Sequence, residues 1–582
     1  MNNYFLKILL FAISIFYLEV TSVSQQNEKI WFDGLGRSYF SRDNVVSSGD
    51  TISPKNMSGG YNLIDLNVHV NPIPNIEVFG QVRVQNQFGG FFGSGTQIDI
   101  RQLTARGTLK NKIKFSVGDI YLKQNRFTLY NYDEDLNLYN SDFYNSYKSI
   151  IDYENFYEEN RWRLQGLQVD FSYKFDRFIR TLEFDFFTTR PRGSSQINSA
   201  LNTFQSDMLL SGATIYSKIS NSISAELNYS TLNELPNSGT QLKSVKNPVY
   251  QIGLIHNYNA KKFNLNSKIQ AGFSERSWSH KVGYDSISHR KLGMFFEYKS
   301  ELSKMDTLFN ISWGSRYVDP NFRSSAAQSR RIDMTESNLT TVYTTYSNDA
   351  VVRPLSVFDI ITDQNIYNQN ISPTLMNFNP IFSNALPYGD ATPNRIGLFL
   401  KGFYKNKKKY FDINFSTSFF SEVIGQGTSR KRNFLTFSEL TKVNLNEIFN
   451  YKKEFNFSLG YLNQITNREG DSIEFINLNC NHIDFKMEKE LLDNVYFNFS
   501  TKRVKALGNE YLNVRDGFDE ILTFQQVDYN RIDYLHALGI KYQFKKDVYI
   551  DIQYNFWGSE FNRTNFNDFD FQRLLFIFSI KL

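Results

Sequence analysis

Apolar side chains at every second position, repeated in segment after segment, are the feature that most limits the folds open to this chain. A period of two places alternate residues on opposite faces of a β-strand. Ile64, Leu66, Val68 and Val70 alternate with Asp65, Asn67, His69 and Asn71. Residues 72–75 read as a tight turn, after which Ile76, Val78, Gly80, Val82 and Val84 alternate with Glu77, Phe79, Gln81, Arg83 and Gln85. The pattern returns at 263–273, 411–416, 455–461 and 548–556. It also ends the chain: Leu574, Phe576, Phe578, Ile580 and Leu582 fall on one face, and Arg573, Ser579 and Lys581 on the other, with Leu575 and Ile577 as apolar exceptions. One such strand fits the edge of a soluble sheet. A long series, each with a polar second face, fits a closed wall with lipid outside and water inside better than a packed sandwich. The expected fold is all-β: a transmembrane antiparallel up-and-down β-barrel of about 22 strands, within roughly 18 to 24.

The N-terminus reads as a secretory signal. Lys7 supplies positive charge, residues 8–18 form an apolar run interrupted by Ser14, and Ser22-Val23-Ser24 offers small residues for cleavage. The expected organisation is a signal peptide over 1–24 and an outer-membrane β-barrel over 25–582. No later segment has the roughly 18 consecutive apolar residues of a membrane helix. The mean hydropathy of −0.42 is that of a soluble protein, but barrel strands show lipid only half of their side chains. Aromatic residues make up 16% of the chain, which suits strands and membrane interfaces alike. The single cysteine, Cys480, leaves no intrachain disulfide and no cysteine-cluster metal site. It sits at an apolar alternate position, as a buried or lipid-facing small hydrophobe. A net charge of +5 over 582 residues gives no case for nucleic acid.

Short turns are expected near 72–75, 110–112, 259–262, 405–409 and 544–547, among others. Long loops are expected between them, notably near 41–60, 122–160, 275–290, 317–394 and 503–527. In barrels of this kind the short turns face the periplasm and the long loops face outward. Many short turns carry lysine, including Lys110, Lys112, Lys261, Lys262, Lys545 and Lys546. These can meet anionic headgroups or simply keep turns soluble. A first strand beginning near Trp31 or Phe32 leaves the expectation of no N-terminal plug domain. An unplugged barrel of this width would leak, so one or both of the segments 318–394 and 123–160 are expected to fold inward and narrow the channel. The second is rich in tyrosine and acidic, with Asp133, Glu134, Asp135, Asp142, Asp152 and Glu154 before Glu158 and Glu159. It lacks the spacing and glycine of a calcium-binding loop.

The terminal strand is similar to the C-terminal strand of bacterial outer-membrane barrels. That likeness implies that Leu574, Phe576, Phe578, Ile580 and Leu582 are the signal read by the barrel-assembly machinery, although the chain ends in Leu582 where those proteins usually have Phe or Trp. Val117-Gly118-Asp119-Ile120-Tyr121, then Arg126-Phe127-Thr128-Leu129-Tyr130, and later Trp162-Arg163-Leu164-Gln165-Gly166-Leu167 resemble a segment of porin-like outer-membrane barrels of the Bacteroidota. The resemblance implies location in the bacterial outer membrane, contact with its lipid, and fold. It implies no particular activity.

No Gly-x-Ser-x-Gly elbow, His-Glu-x-x-His pair or Walker loop occurs. The histidines are scattered, and Ser279-His280 and Ser288-His289 are only sequence neighbours in an expected loop. The expectation is a chain that is not an enzyme and uses no cofactor. The leading functional reading is a porin-like channel for small solutes. Charged residues expected on the wet face are Glu77, Arg83, Arg106, Lys114, Asp170 and Glu183. Further along come Asp185, Lys268, Arg316, Asp412, Lys541 and Asp551. Rings of such charge tune ion preference. The alternative is a non-transporting barrel that scaffolds a secretion or assembly complex with surface or periplasmic protein partners.

Overall fold

The computed structural model describes residues 29–47, 55–88, 95–131, 143, 145–154, 156, 158–176, 179–192, 195–196, 204–205, 207–235, 243–282, 285–304, 308–328, 384–515, 521–561 and 568–582. The expected signal peptide lies outside these residues, as do Asp133, Glu134, Asp135 and Asp142.

One sheet of 22 strands makes up the wall. It begins with β1 (Ile30–Ser47), β2 (Lys55–Ile73), β3 (Ile76–Gln87), β4 (Thr96–Leu109), β5 (Ile113–Leu122), β6 (Trp162–Lys174) and β7 (Thr181–Arg192). There follow β8 (Asp207–Lys218), β9 (Ile223–Leu235), β10 (Lys243–Asn259), β11 (Phe263–Val282), β12 (Asp285–Lys304), β13 (Phe309–Val318), β14 (Arg395–Lys405) and β15 (Phe411–Ser421). The last are β16 (Asn433–Asn444), β17 (Phe455–Arg468), β18 (Ile476–Leu492), β19 (Val495–Arg515), β20 (Ile521–Lys545), β21 (Val548–Phe561) and β22 (Phe569–Lys581). Each strand pairs antiparallel with the next. β22 returns to β1, from Lys581 opposite Leu35 to Phe569 opposite Ser47. The sheet is therefore closed and has no free edge to recruit another chain.

The expected short turns sit where the sequence places them. Three expected loops do not. Residues near 41–60, 275–290 and 503–527 belong largely to paired strands: β11 and β12 run together to Val282 opposite Asp285, and β19 and β20 pair up to Arg515 opposite Ile521. Ser279 and Ser288 thus face each other in a hairpin ladder rather than a loop. The cause is physical. Above a lipid belt the outward face no longer needs apolar residues, so the alternation fades while backbone pairing continues.

Side-chain direction follows the alternation. Leu574 is exposed outward, whereas Arg573, Leu575, Ile577 and Ser579 are buried toward the interior. Ile98, Ile100, Leu398 and Ile540 are similarly exposed. The buried apolar core lies inside the barrel at the long-loop end. There Ile120, Leu129, Trp162, Leu210, Leu232 and Ala326 form one cluster. Phe127, Val249, Phe295, Phe322 and Ala391 form another. Cys480 is buried inward with Leu478 and Ala506.

Candidate functional site

Two stretches of chain leave the wall and bond to its inner face. The first follows β5. Gly118 has a φ of +102°, and a Cβ there would meet the Leu103 carbonyl oxygen at 2.2 Å. Only glycine tolerates both constraints. The β4–β5 ladder ends at this point, and Asp119 takes over: its carboxylate accepts from the Leu103 N–H at 2.7 Å and pairs with Arg163 at 2.8 Å. The Gly-Asp motif thus marks where β5 parts from β4, while residues 119–122 stay paired with β6 before the next segment departs.

That segment runs along the inner faces of β8 to β12. Gln124 donates to the carbonyls of Ala213 and Tyr229, at 3.1 and 3.2 Å. Asn125 donates to Glu226 at 3.0 Å and Gln270 at 2.7 Å. The Phe127 ring stacks on Phe295 with centroids 4.0 Å apart. Arg126 binds Glu297 at 2.5 Å and also Asp390.

The same connection then forms α1 (Asn145–Glu154), which lies on a different part of the wall. Gly539 faces Phe143, where an added Cβ would stand 3.4 Å from its ring. At the other end, Glu154 accepts from Arg83 at 2.7 and 3.0 Å, Arg37 at 2.9 Å and Arg101 at 3.3 Å. The Tyr153 hydroxyl donates to Asp65 at 2.5 Å. Arg83 also holds Asp65 through two bonds of 2.7 Å. The Arg101 guanidinium lies 4.7 Å from the Tyr153 ring centre and 4.5 Å from that of Phe156. Burial alone would raise the Glu154 carboxyl. The Arg83 hydrogen bonds and the neighbouring guanidinium charges outweigh it and hold the group below the usual carboxylate range.

The second inward stretch comprises the two described ends of the β13–β14 connection. Asn247 donates to the Arg323 carbonyl at 3.0 Å, and Trp162 to the Ala326 carbonyl at 2.8 Å. A 3₁₀ turn at Gly389–Ala391 carries Asp390 to Arg316, 2.8 Å away, and to Arg126. Burial opposes ionisation of Asp390, but the two arginine charges dominate and its carboxyl lies well below the usual range. Gln328 donates to the Ala391 carbonyl at 3.0 Å, so both ends meet there. Asn384 reaches β17 and β19, donating to Thr466 and Glu510 at 2.7 Å each.

The residues singled out from sequence distribute among several inner-face groups. Arg83 belongs to the Glu154 cluster. Arg316 binds Glu297 at 2.6 Å as well as Asp390. Asp551 is buried, accepts from Gln553 at 2.8 Å and lies opposite Lys541 in register. The Lys541 ammonium sits 4.7 Å from the Tyr549 ring centre. Glu77 takes hydrogen bonds from Arg106 and His69, both at 2.8 Å. Lys268 pairs with Glu226 at 2.6 Å. Lys114 and Asp170 stand 3.9 Å apart, and Asp412 is 3.7 Å from Lys405. Asp185 faces Asp170 in register and accepts from Gln168 at 2.9 Å, while Glu183 is exposed. Cross-strand register sets Glu77 opposite Arg106, Lys114 opposite Asp170, Lys405 opposite Asp412 and Lys541 opposite Asp551, but places Asp185 opposite a like charge.

Sequence reasoning missed the clusters' other halves: Arg37, Asp65 and Arg101 around Glu154, and Glu297 and Asp390 around Arg126. It also missed Arg432, held by Glu422 at 2.7 Å and Glu510 at 3.1 Å. Asp65 and Glu297 occupy wet-face positions of alternating segments, a signal that was there to be used. Glu422 and Asp390 lie in loops, where no periodicity marks them.

Beneath the Gly389–Ala391 turn, between β12 and β19, lies a cavity of about 640 Å³. Among the described residues no cluster of His, Cys, Asp and Glu suits a metal ion.

No protein-family model matches the chain, and no curated protein matches it. Solved structures similar to it include Acinetobacter baumannii OccAB4, at 9% identity and a TM-score of 0.30, covering 95% of this chain and 98% of that one. Pseudomonas aeruginosa OpdQ matches at 10% identity and a TM-score of 0.31, over 95% and 98%. The P pilus usher (PapC) translocation pore matches at 6% identity and a TM-score of 0.34, over 94% and 100%. Likeness at this level adds nothing to the fold already read from the strand register.

Proposed function

We propose that this chain is an outer-membrane channel for small solutes, with a bore narrowed by its two inward stretches. The observation that carries the reading is the division of one closed 22-stranded wall into an apolar outward face and a polar, charged inward face. Such a wall suits lipid outside and an aqueous path inside. A signal peptide over 1–24 would deliver the chain to the periplasm, and the apolar face of the terminal strand would serve barrel assembly there. The charged pairs from Glu77–Arg106 to Lys541–Asp551 would line the path and set its ion preference.

The test is single-channel recording of the purified mature chain in a planar lipid bilayer. Steady conductance, well below that of an open bore of this strand number, is the expected result. A folded, heat-modifiable barrel that never conducts would overturn the channel reading. That outcome would favour the scaffold alternative, for which the many buried ion pairs fixing the inward stretches give specific support. Stoichiometric protein partners recovered with the native barrel would then be the deciding observation.

A further inference from the structure

The cavity beneath the Gly389–Ala391 turn has an unequal charge balance. Arg126 and Arg316 are matched by Asp390 and Glu297. Lys502 is matched by Asp484 at 3.7 Å. Lys299 has Glu301 at 3.6 Å. Lys401 lines the cavity, is exposed within it and makes no ion pair among the described residues. Asp390 lies within electrostatic range of Lys401, but two guanidinia already engage it. Glu439 shares a register row with Phe415 and Tyr461, which belong to the outward apolar face.

The neighbours of Lys401 have a pattern of their own. Its register row reads Ser312, Lys401, Ser416, Ser438 across four adjacent strands. Neighbouring strands lie roughly 4.8 Å apart, so serine positions flank Lys401 on both sides, and the Ser416 and Ser438 hydroxyls bond to each other at 3.1 Å. Along its own strand, Phe399 and Phe403 occupy the same face two residues either way, and both line the cavity. A lysine with serine positions across the sheet and phenylalanines along its own strand, all lining one cavity, offers three kinds of contact to a bound solute. It can pair with a carboxylate, hydrogen-bond several hydroxyl groups, and pack against the C–H face of a ring. The volume falls within the range of small-molecule sites.

We propose that this cavity binds a small polyhydroxylated anion of the sugar-acid class, with Lys401 as the charged anchor and Ser312, Ser416 and Ser438 as hydroxyl partners. The proposal deepens the channel reading and rests on it for delivery of the solute, but binding can be measured without transport.

The experiment is titration calorimetry of the detergent-solubilised full barrel with D-glucuronate, D-glucose and acetate, alongside bilayer recordings with the same three solutes. Glucuronate is expected to bind at least tenfold more tightly than glucose or acetate. Lys401→Met should weaken glucuronate at least tenfold and leave glucose unchanged, while Lys401→Arg should retain most of the affinity. Ser416→Ala, a smaller change, should weaken glucuronate severalfold without altering acetate. Equal binding of glucuronate and acetate would overturn the sugar-acid assignment, and unchanged affinity in Lys401→Met would overturn the site. Lys401-dependent binding to a barrel that conducts nothing would sink the channel reading and leave this site standing.

Discussion

Glu154→Gln should release the C-terminal end of α1 from the barrel wall. The wild-type carboxylate takes bonds from Arg83, Arg37 and Arg101 and is 28% exposed. Removing one partner of a buried charge pair costs about 3–5 kcal/mol, and a single hydrogen bond to a charged group is worth about 1.5–3 kcal/mol. Glutamine keeps an acceptor oxygen, Arg83 keeps Asp65, and the site is partly solvated. Each of these lowers the cost, to about 2–3 kcal/mol. At roughly 1.4 kcal/mol per decade, the undocked population of α1 should rise roughly 30- to 150-fold. Backbone amide hydrogen exchange across residues 145–154 reads this directly, because locally opened states exchange in proportion to their population. Lys114→Gln, at an exposed pair, is the control and should leave exchange unchanged. The sign of the pH dependence follows from the lowered carboxyl. Its contribution is complete above the ordinary glutamate value of 4.5 and is lost only as pH falls through the lower docked value. Wild-type protection should therefore be level from pH 7 to 5 and weaken in more acid solution, while Glu154→Gln should show a smaller step, the part that Asp65 contributes through Tyr153. Equal protection in variant and wild type would refute the claim that this carboxylate holds the helix.

Arg126→Met would leave Glu297 and Asp390 with Arg316 as their shared partner. It should loosen the 124–131 segment by about 3 kcal/mol and, on the channel reading, raise mean conductance and open-state noise in bilayers. Gly118→Val forces a side chain into a positive-φ position against the Leu103 carbonyl. The heat-modifiability midpoint on semi-native gels should fall, reflecting a loss of at least about 2 kcal/mol. Phe576→Arg puts a charge on the outward face of the terminal strand at a cost of about 2–4 kcal/mol if it lies near the bilayer midplane. The yield of folded barrel in membranes should drop severalfold, whereas Gln572→Arg, nearer the strand's start, should have a smaller effect.

Much of the fold could be read from local sequence because a strand's two faces repeat every two residues. Ile64–Val70 and Leu574–Ile580 reveal their outward face without knowledge of any partner strand. The turns between them, rich in lysine and asparagine, marked the strand count. Pairing in a meander is between sequence neighbours, so order followed from the turns as well. The limits were equally local. Hairpins such as Val282–Asp285 extend past the lipid belt, where apolar alternation is no longer required and the sequence takes on the look of a loop.

The interior is another matter. Glu154 and Arg83 are 71 residues apart, and Arg126 and Asp390 are separated by 264. No periodicity connects such pairs, because their contact depends on where a connection crosses the lumen and which wall it meets. The sequence by itself determined that the chain would be a closed wall with one apolar and one polar face, since hydrophobic burial against lipid is written residue by residue. Only the tertiary structure decided which charges neutralise one another, which segments bond to the inner wall, and why Lys401 is left facing a cavity. Those outcomes are fixed by closure of the barrel, which brings distant charges into a low-dielectric interior where each must find a partner or remain solvated.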